Sequence, residues 1–247
     1  MVKRHKLVCL CIGLAFLIIL QKFATPEPVF RFLLPAFLLY AAAVNFYNRR
    51  YLKEIQKYNF WTALRPLLLL AAGFGLFLVI PSEFFRGLFL ISCVAVIAVF
   101  EMLLGNQAEN ILLNETLFIA FGIFFALFAG YYYSPAYGPW YLAGIFFGSG
   151  LLARSFYEFI PQSNKVKLAG SVAIGLFCAE LFWSLNFLHF HFSVLAVFLF
   201  NFFYFCLILN YYFLFHILNF KKIQFHFLLM AATSVIALAA TPWRILQ

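Results

Sequence analysis

Phe192-Ser-Val-Leu-Ala-Val-Phe-Leu-Phe-Asn-Phe-Phe-Tyr-Phe-Cys-Leu-Ile-Leu-Asn-Tyr-Tyr-Phe-Leu-Phe-His-Ile217 contains no Asp, Glu, Lys or Arg. As a helix rising 1.5 Å per residue it would be about 39 Å long, enough to cross the roughly 30 Å hydrocarbon core of a bilayer. An uncharged run of this length with two internal asparagines reads as a membrane-spanning helix. Similar runs lie on both sides of it. Working outward, spans are expected at about 7–24, 29–47, 62–80, 83–104, 107–133, 140–160, 168–188, 192–217 and 225–240.

The composition supports this reading. The chain is 66% hydrophobic and 10% charged, whereas a soluble domain carries about a quarter charged residues. A soluble fold of this size could not hide so much apolar surface. The strict alternation of a membrane β-barrel is absent, so helices are the spanning element. The expected fold is therefore all-α: a polytopic transmembrane helix bundle of about nine spans, forming one integral membrane domain over residues 1–247 with minimal loops. The first apolar run follows Lys3, Arg4 and Lys6 in the manner of a signal peptide. Cleavage after Ala24 would put Lys22 where a small residue is wanted, so an uncleaved first helix is expected.

Charge sets the orientation. With the N-terminus in the cytoplasm, the inner segments collect thirteen Lys and Arg residues and the outer segments four, as the positive-inside rule requires. This asymmetry also accounts for the net charge of +9 without invoking nucleic acid as a partner. The most basic segment, 48–65, interleaves Arg49, Arg50, Lys53, Lys57 and Arg65 with Tyr51, Tyr58 and Trp61. It reads as an interfacial stretch suited to anionic lipid headgroups. The localisation that goes with this reading is a bacterial cytoplasmic membrane.

Few polar groups interrupt the apolar runs, and they define the candidate sites. Residues 101–115 hold Glu101, Glu109 and Glu115 together with four side-chain amides, and no Lys or Arg. Asn106-Gln-Ala-Glu109 before an apolar run has the form of a capping box. The fifth span is expected to start there, with its carboxylates favoured by the helix dipole. Asn106, Asn110 and Asn114 recur every four residues and would share one helix face, a candidate lining for a cation or headgroup site with Glu109. Arg154 and Glu158 are spaced for an ion pair within the sixth span.

Glu180 falls well inside the seventh span. An intramembrane carboxylate is a functional-site candidate by default. Depth matching in an antiparallel hairpin puts it level with Asn201, so a protonated Glu180 bonded to Asn201 is expected, with Ser184 or Tyr204 as the fallback partner. Gly122, Ala126 and Gly130 on the fifth span, and Gly144 and Gly148 on the sixth, suggest a close hairpin.

Several chemistries are disfavoured. The chain has no Asp, which removes the Asp-rich metal–diphosphate motifs of prenyl and alcohol-phosphate transferases. His189-x-His191 lacks further ligands at its depth and reads as an interfacial turn, so no metal site is assigned. The five cysteines lie in apolar runs without ligand or disulfide spacing. No cofactor and no catalytic residue is assigned. Three classes of function remain: a membrane-embedded binding or transport protein, a non-catalytic scaffold, and a membrane enzyme acting on a lipid-linked substrate at the cytoplasmic interface. The expected surroundings are the lipid bilayer and a protein partner or second copy.

Overall fold

The computed structural model describes residues 109–158, 160–188, 190–215 and 219–240, together with Leu68, Ala72, Gly73 and Leu76; side chains on the fifth expected span are described from Leu113 onward. Apart from those four positions in the third, the first four expected spans lie outside these residues, as do the 48–65 segment, the orientation, Glu101 and the Asn106 cap. The chain divides into two compact units, 1–115 and 116–247. The second contains nearly all of the described helices.

Among the described residues the structure is all helical. Five long helices follow in order: α1 Glu109–Tyr133, α2 Gly138–Tyr157, α3 Asn164–Leu185, α4 Phe192–Leu214 and α5 Phe220–Ala239, with a short 3-10 turn at Pro135–Tyr137. They overlap the fifth to ninth expected spans. Four of them, α1, α3, α4 and α5, are long and apolar enough to cross a membrane, the build of an integral membrane protein.

The α2 helix is different in kind. Four glycines, two serines and Arg154 dilute its apolar character. Its second half compensates by lying inside the unit: Ile145, Ser149, Leu152, Ala153 and Tyr157 are fully buried, while Trp140 and Phe147 nearer the start are exposed. A helix face packed on protein does not need the lipid-compatible surface of its neighbours.

Two helix starts differ from the sequence expectation. Lys165 and Lys167 lie in the first turns of α3 rather than in a loop, because the helix begins at Asn164 after an extended Ser163. Lys221 and Lys222 likewise open α5, where the Asn219 side chain accepts from the Lys221 amide at 3.0 Å. An asparagine cap satisfies one of the free amides at a helix start, and this one moves the start ahead of the two lysines. At α4 the His191 side chain takes the same place, accepting from the Ser193 amide.

Small residues decide how closely the helices approach, but not in the expected pairing. Gly144 and Gly148 do face α1. There they receive large side chains: Leu127 would stand 3.2 Å from a β-carbon at Gly144, and Ile123 would stand 3.4 Å from one at Gly148. Gly130 receives the Tyr141 ring. These are knobs set into glycine notches, not glycine against glycine.

Backbone meets backbone one helix further on, between α2 and α3. A β-carbon at Gly175 would lie 2.8 Å from the Phe146 carbonyl oxygen, and one at Gly150 would lie 3.3 Å from the Ser171 carbonyl oxygen. Aromatic contacts join α1 to α3 and α4. Phe182 of α3 packs on Phe128 of α1 at 4.6 Å between ring centroids, and Phe203 of α4 meets Phe124 of α1 edge-on at 5.4 Å.

Gly175→Ala is therefore expected to destabilise the protein by about 1–3 kcal/mol, the usual cost of overpacking. Gly148→Ala, whose new methyl group meets only an ordinary contact, should shift stability by less than about 1 kcal/mol. Reversible unfolding in detergent micelles measures both.

Candidate functional site

The nominated polar residues separate into three places. At the end of α2, Arg154 is 6% exposed. Its Nη1 donates to the Glu158 carboxylate at 2.5 Å, and its Nη2 donates to the Asn164 side-chain oxygen at 3.3 Å. The i,i+4 ion pair expected from the sequence is thus present, and it also ties the end of α2 to the start of α3.

Lys167 strengthens the junction. It is equally buried, and its Nζ donates to the Glu158 backbone carbonyl at 3.3 Å. A cation beside the carbonyls that end a helix is favoured by the helix dipole. Gln162 in the connection donates to the Leu214 carbonyl of α4 at 2.9 Å. The arrangement is a structural clasp joining three helix ends.

The second place is a polar seam between α4 and α5. Asn201, 6% exposed, donates to the Ser234 hydroxyl at 2.9 Å. The expected Glu180–Asn201 bond is not formed. Asn201 stands nine residues into α4 while Glu180 is five residues from the end of α3, about 6 Å apart in depth, and Asn201 faces α5. Nearer the other end of the seam, His226 sits between two tyrosines, with Nδ1 2.6 Å from the Tyr204 hydroxyl and Nε2 3.0 Å from the Tyr212 hydroxyl. A neutral imidazole has one donor and one acceptor nitrogen, so one tyrosine gives its proton and the other receives one. Lys222 lies over the Tyr212 ring at 5.7 Å. Neither Ser234 nor the role of His226 was anticipated from the sequence. The signal was available as polar residues recurring on one helical face: Asn201, Tyr204 and Tyr212 on α4, and His226 and Ser234 on α5.

The third place is the outward face of α3, where Glu180 is exposed. The Ser184 hydroxyl donates to the Glu180 backbone carbonyl at 2.9 Å and leaves its carboxyl alone. Among the described residues no side chain pairs with that carboxyl. A charged group within a spanning helix is costly even away from the centre, and Glu180 stands five residues inside the end of α3, so its place on the outside of the helices is the least expected feature of the unit.

The cluster at 101–115 is only partly described. Glu109 and Asn110 are helical in α1, Asn114 is exposed, and Glu115 and Thr116 are buried. Glu101 and Asn106 fall outside the described residues.

Between α3 and α4 runs an apolar groove of about 270 Å³, with Ile174, Phe177, Leu209 and Phe213 among its walls and Asn210 as its amide. Behind Asn210 the Tyr157 hydroxyl is fully buried; the amide lies beside it without reaching hydrogen-bond geometry. The groove walls carry an amide and the Cys206 thiol but no charged group. Among the described residues no group of three His, Cys or Glu could hold a metal ion. Cys178 and Cys206 are unbridged.

The class defined by this fold is a helical membrane protein. No protein-family model matches the chain, and comparison with curated proteins and with solved structures finds no match.

The Asn201–Ser234 bond should show up as coupling. In a double-mutant cycle of Asn201→Ala and Ser234→Ala, unfolding in detergent is expected to give an interaction energy of about 0.6–2 kcal/mol. A value of zero would mean that the two side chains act independently.

Proposed function

We propose that this chain is a multi-pass membrane protein of about nine spans, N-terminus cytoplasmic, that works by binding and assembly within the bilayer rather than by catalysis. One observation carries the reading: Asn201, one of the amides nominated as site residues, is closed onto Ser234 between two helices instead of lining a cavity. The neighbouring polar groups behave alike, with His226 held by two tyrosines and Arg154 held by Glu158 and Asn164. A transporter needs its intramembrane polar groups turned toward a shared, water-reaching path. A scaffold turns them against its own helices, where they fix which helix meets which.

A lipid-linked ligand is the second reading, favoured by the groove between α3 and α4. Its walls offer an amide to hold a ligand, but no acid–base pair to transform one. That chemistry fits binding better than an enzyme acting on the same class of molecule.

Substituted cysteines test the proposal in a version of the protein freed of its native cysteines. Asn201→Cys and Ser234→Cys should resist a membrane-impermeant maleimide added from either side. Labelling of either one from one face would overturn the scaffold reading and restore transport. In the same assay Ser163→Cys should label only from the cytoplasm and Ser193→Cys only from outside; the reverse pattern would overturn the orientation.

A further inference from the structure

Toward its C-terminal end, α3 turns large apolar side chains out of the helix bundle. Leu176, Phe177 and Trp183 are each at least half exposed, as is Phe187 just past the helix end. Glu180 stands among them, five residues before the helix ends at Leu185, which puts it about 8 Å inside that end at 1.5 Å per residue. Lipid tails offer nothing to a carboxyl at that depth, since hydrocarbon has no hydrogen-bond donor.

The nearby groups of the unit are engaged elsewhere. Ser184 bonds the backbone carbonyl of Glu180, Asn201 bonds Ser234, and Lys167 bonds the Glu158 carbonyl. On the same strip Ala169 and Ala173 are exposed, four residues apart, a spacing of small side chains that lets a second helix approach closely.

We propose that this face of α3 docks a transmembrane helix of another protein that carries a lysine or arginine at the depth of Glu180. The inference rests on the assembly reading above and adds the chemistry of the partner. Charge complementarity selects a cation. A fixed opposite charge in a low-dielectric setting stabilises an ionised carboxylate more than an amide can. A second copy of this chain is disfavoured at the same face, because a two-fold contact there would bring Glu180 against Glu180.

The experiment uses the full chain in phosphatidylcholine vesicles with fluorescently labelled leucine–alanine helices. These helices carry lysine, asparagine or leucine at the matching depth, and association is read by energy transfer. The lysine helix is expected to bind on the order of tenfold more tightly than the leucine helix, with the asparagine helix between them. With Glu180→Leu, a substitution suited to a lipid-facing position, the difference should disappear. With Glu180→Gln the lysine helix should lose its advantage over the asparagine helix. An unchanged unfolding transition shows that each variant is folded.

Equal binding of the lysine and leucine helices to the unmodified protein would overturn the proposal. So would a lysine preference that survives Glu180→Leu, or disulfide cross-linking of Leu176→Cys between two copies that depends on Glu180. The assembly reading fails separately, through labelling at position 201, so the two failures are distinguishable.

Discussion

Gly175 of α3 lies so close to the Phe146 carbonyl of α2 that a single methyl group would stand 2.8 Å from that oxygen, and much of the unit follows from this contact. Two helix backbones in such proximity exclude lipid and leave little room for rotation. With α2 held there, its remaining faces are fixed: Gly144 and Gly148 turn their notches toward α1, and Arg154 arrives beside the start of α3. In hydrocarbon there is no solvent-driven force pressing helices together, so close packing and a few hydrogen bonds carry the association. That explains why α2, rich in glycine and serine, has its second half enclosed by its neighbours, and why its small residues matter more than its large ones.

Polar side chains then act as registration marks. The Arg154–Glu158–Asn164 clasp and the Lys167 bond to a helix-end carbonyl join α2 to α3. The Asn201–Ser234 bond and the His226–tyrosine pair join α4 to α5. The α5 helix has no buried residue at all, so the polar seam and a few ring contacts such as Phe205 on Phe227 hold it in place. The two fastenings suit their positions. Charges gather at helix ends, where headgroups and water lie close, and neutral hydrogen bonds serve within the spans.

Glu180 departs from this pattern. Arg154, Asn201 and His226 each meet a side-chain partner within the unit, while this carboxyl faces outward from α3. Nor does the α3–α4 groove claim it, since Asn210 is the amide of that groove. On the proposal made above, this carboxyl is kept for a surface that a partner helix covers.

The sequence by itself determined that the described half is helical, where its five helices fall to within a few residues, and that Arg154 and Glu158 pair. Each of these depends on composition or spacing along one helix, and such information is local. It missed the starts of α3 and α5, where residues with cap geometry draw nearby lysines into the first turns. Partners between helices were decided only by the tertiary structure. Counting from the expected turn put Asn201 level with Glu180, yet α3 ends at Leu185 and α4 begins at Phe192, so Asn201 lies about 6 Å deeper. It turns to Ser234 while Glu180 turns outward. Depth follows from counting residues only once the ends of the turn are known. The rotation of each helix about its axis follows from which neighbours its small residues admit, and that is set by the α2–α3 contact and by the aromatic packing of α1 against α3 and α4.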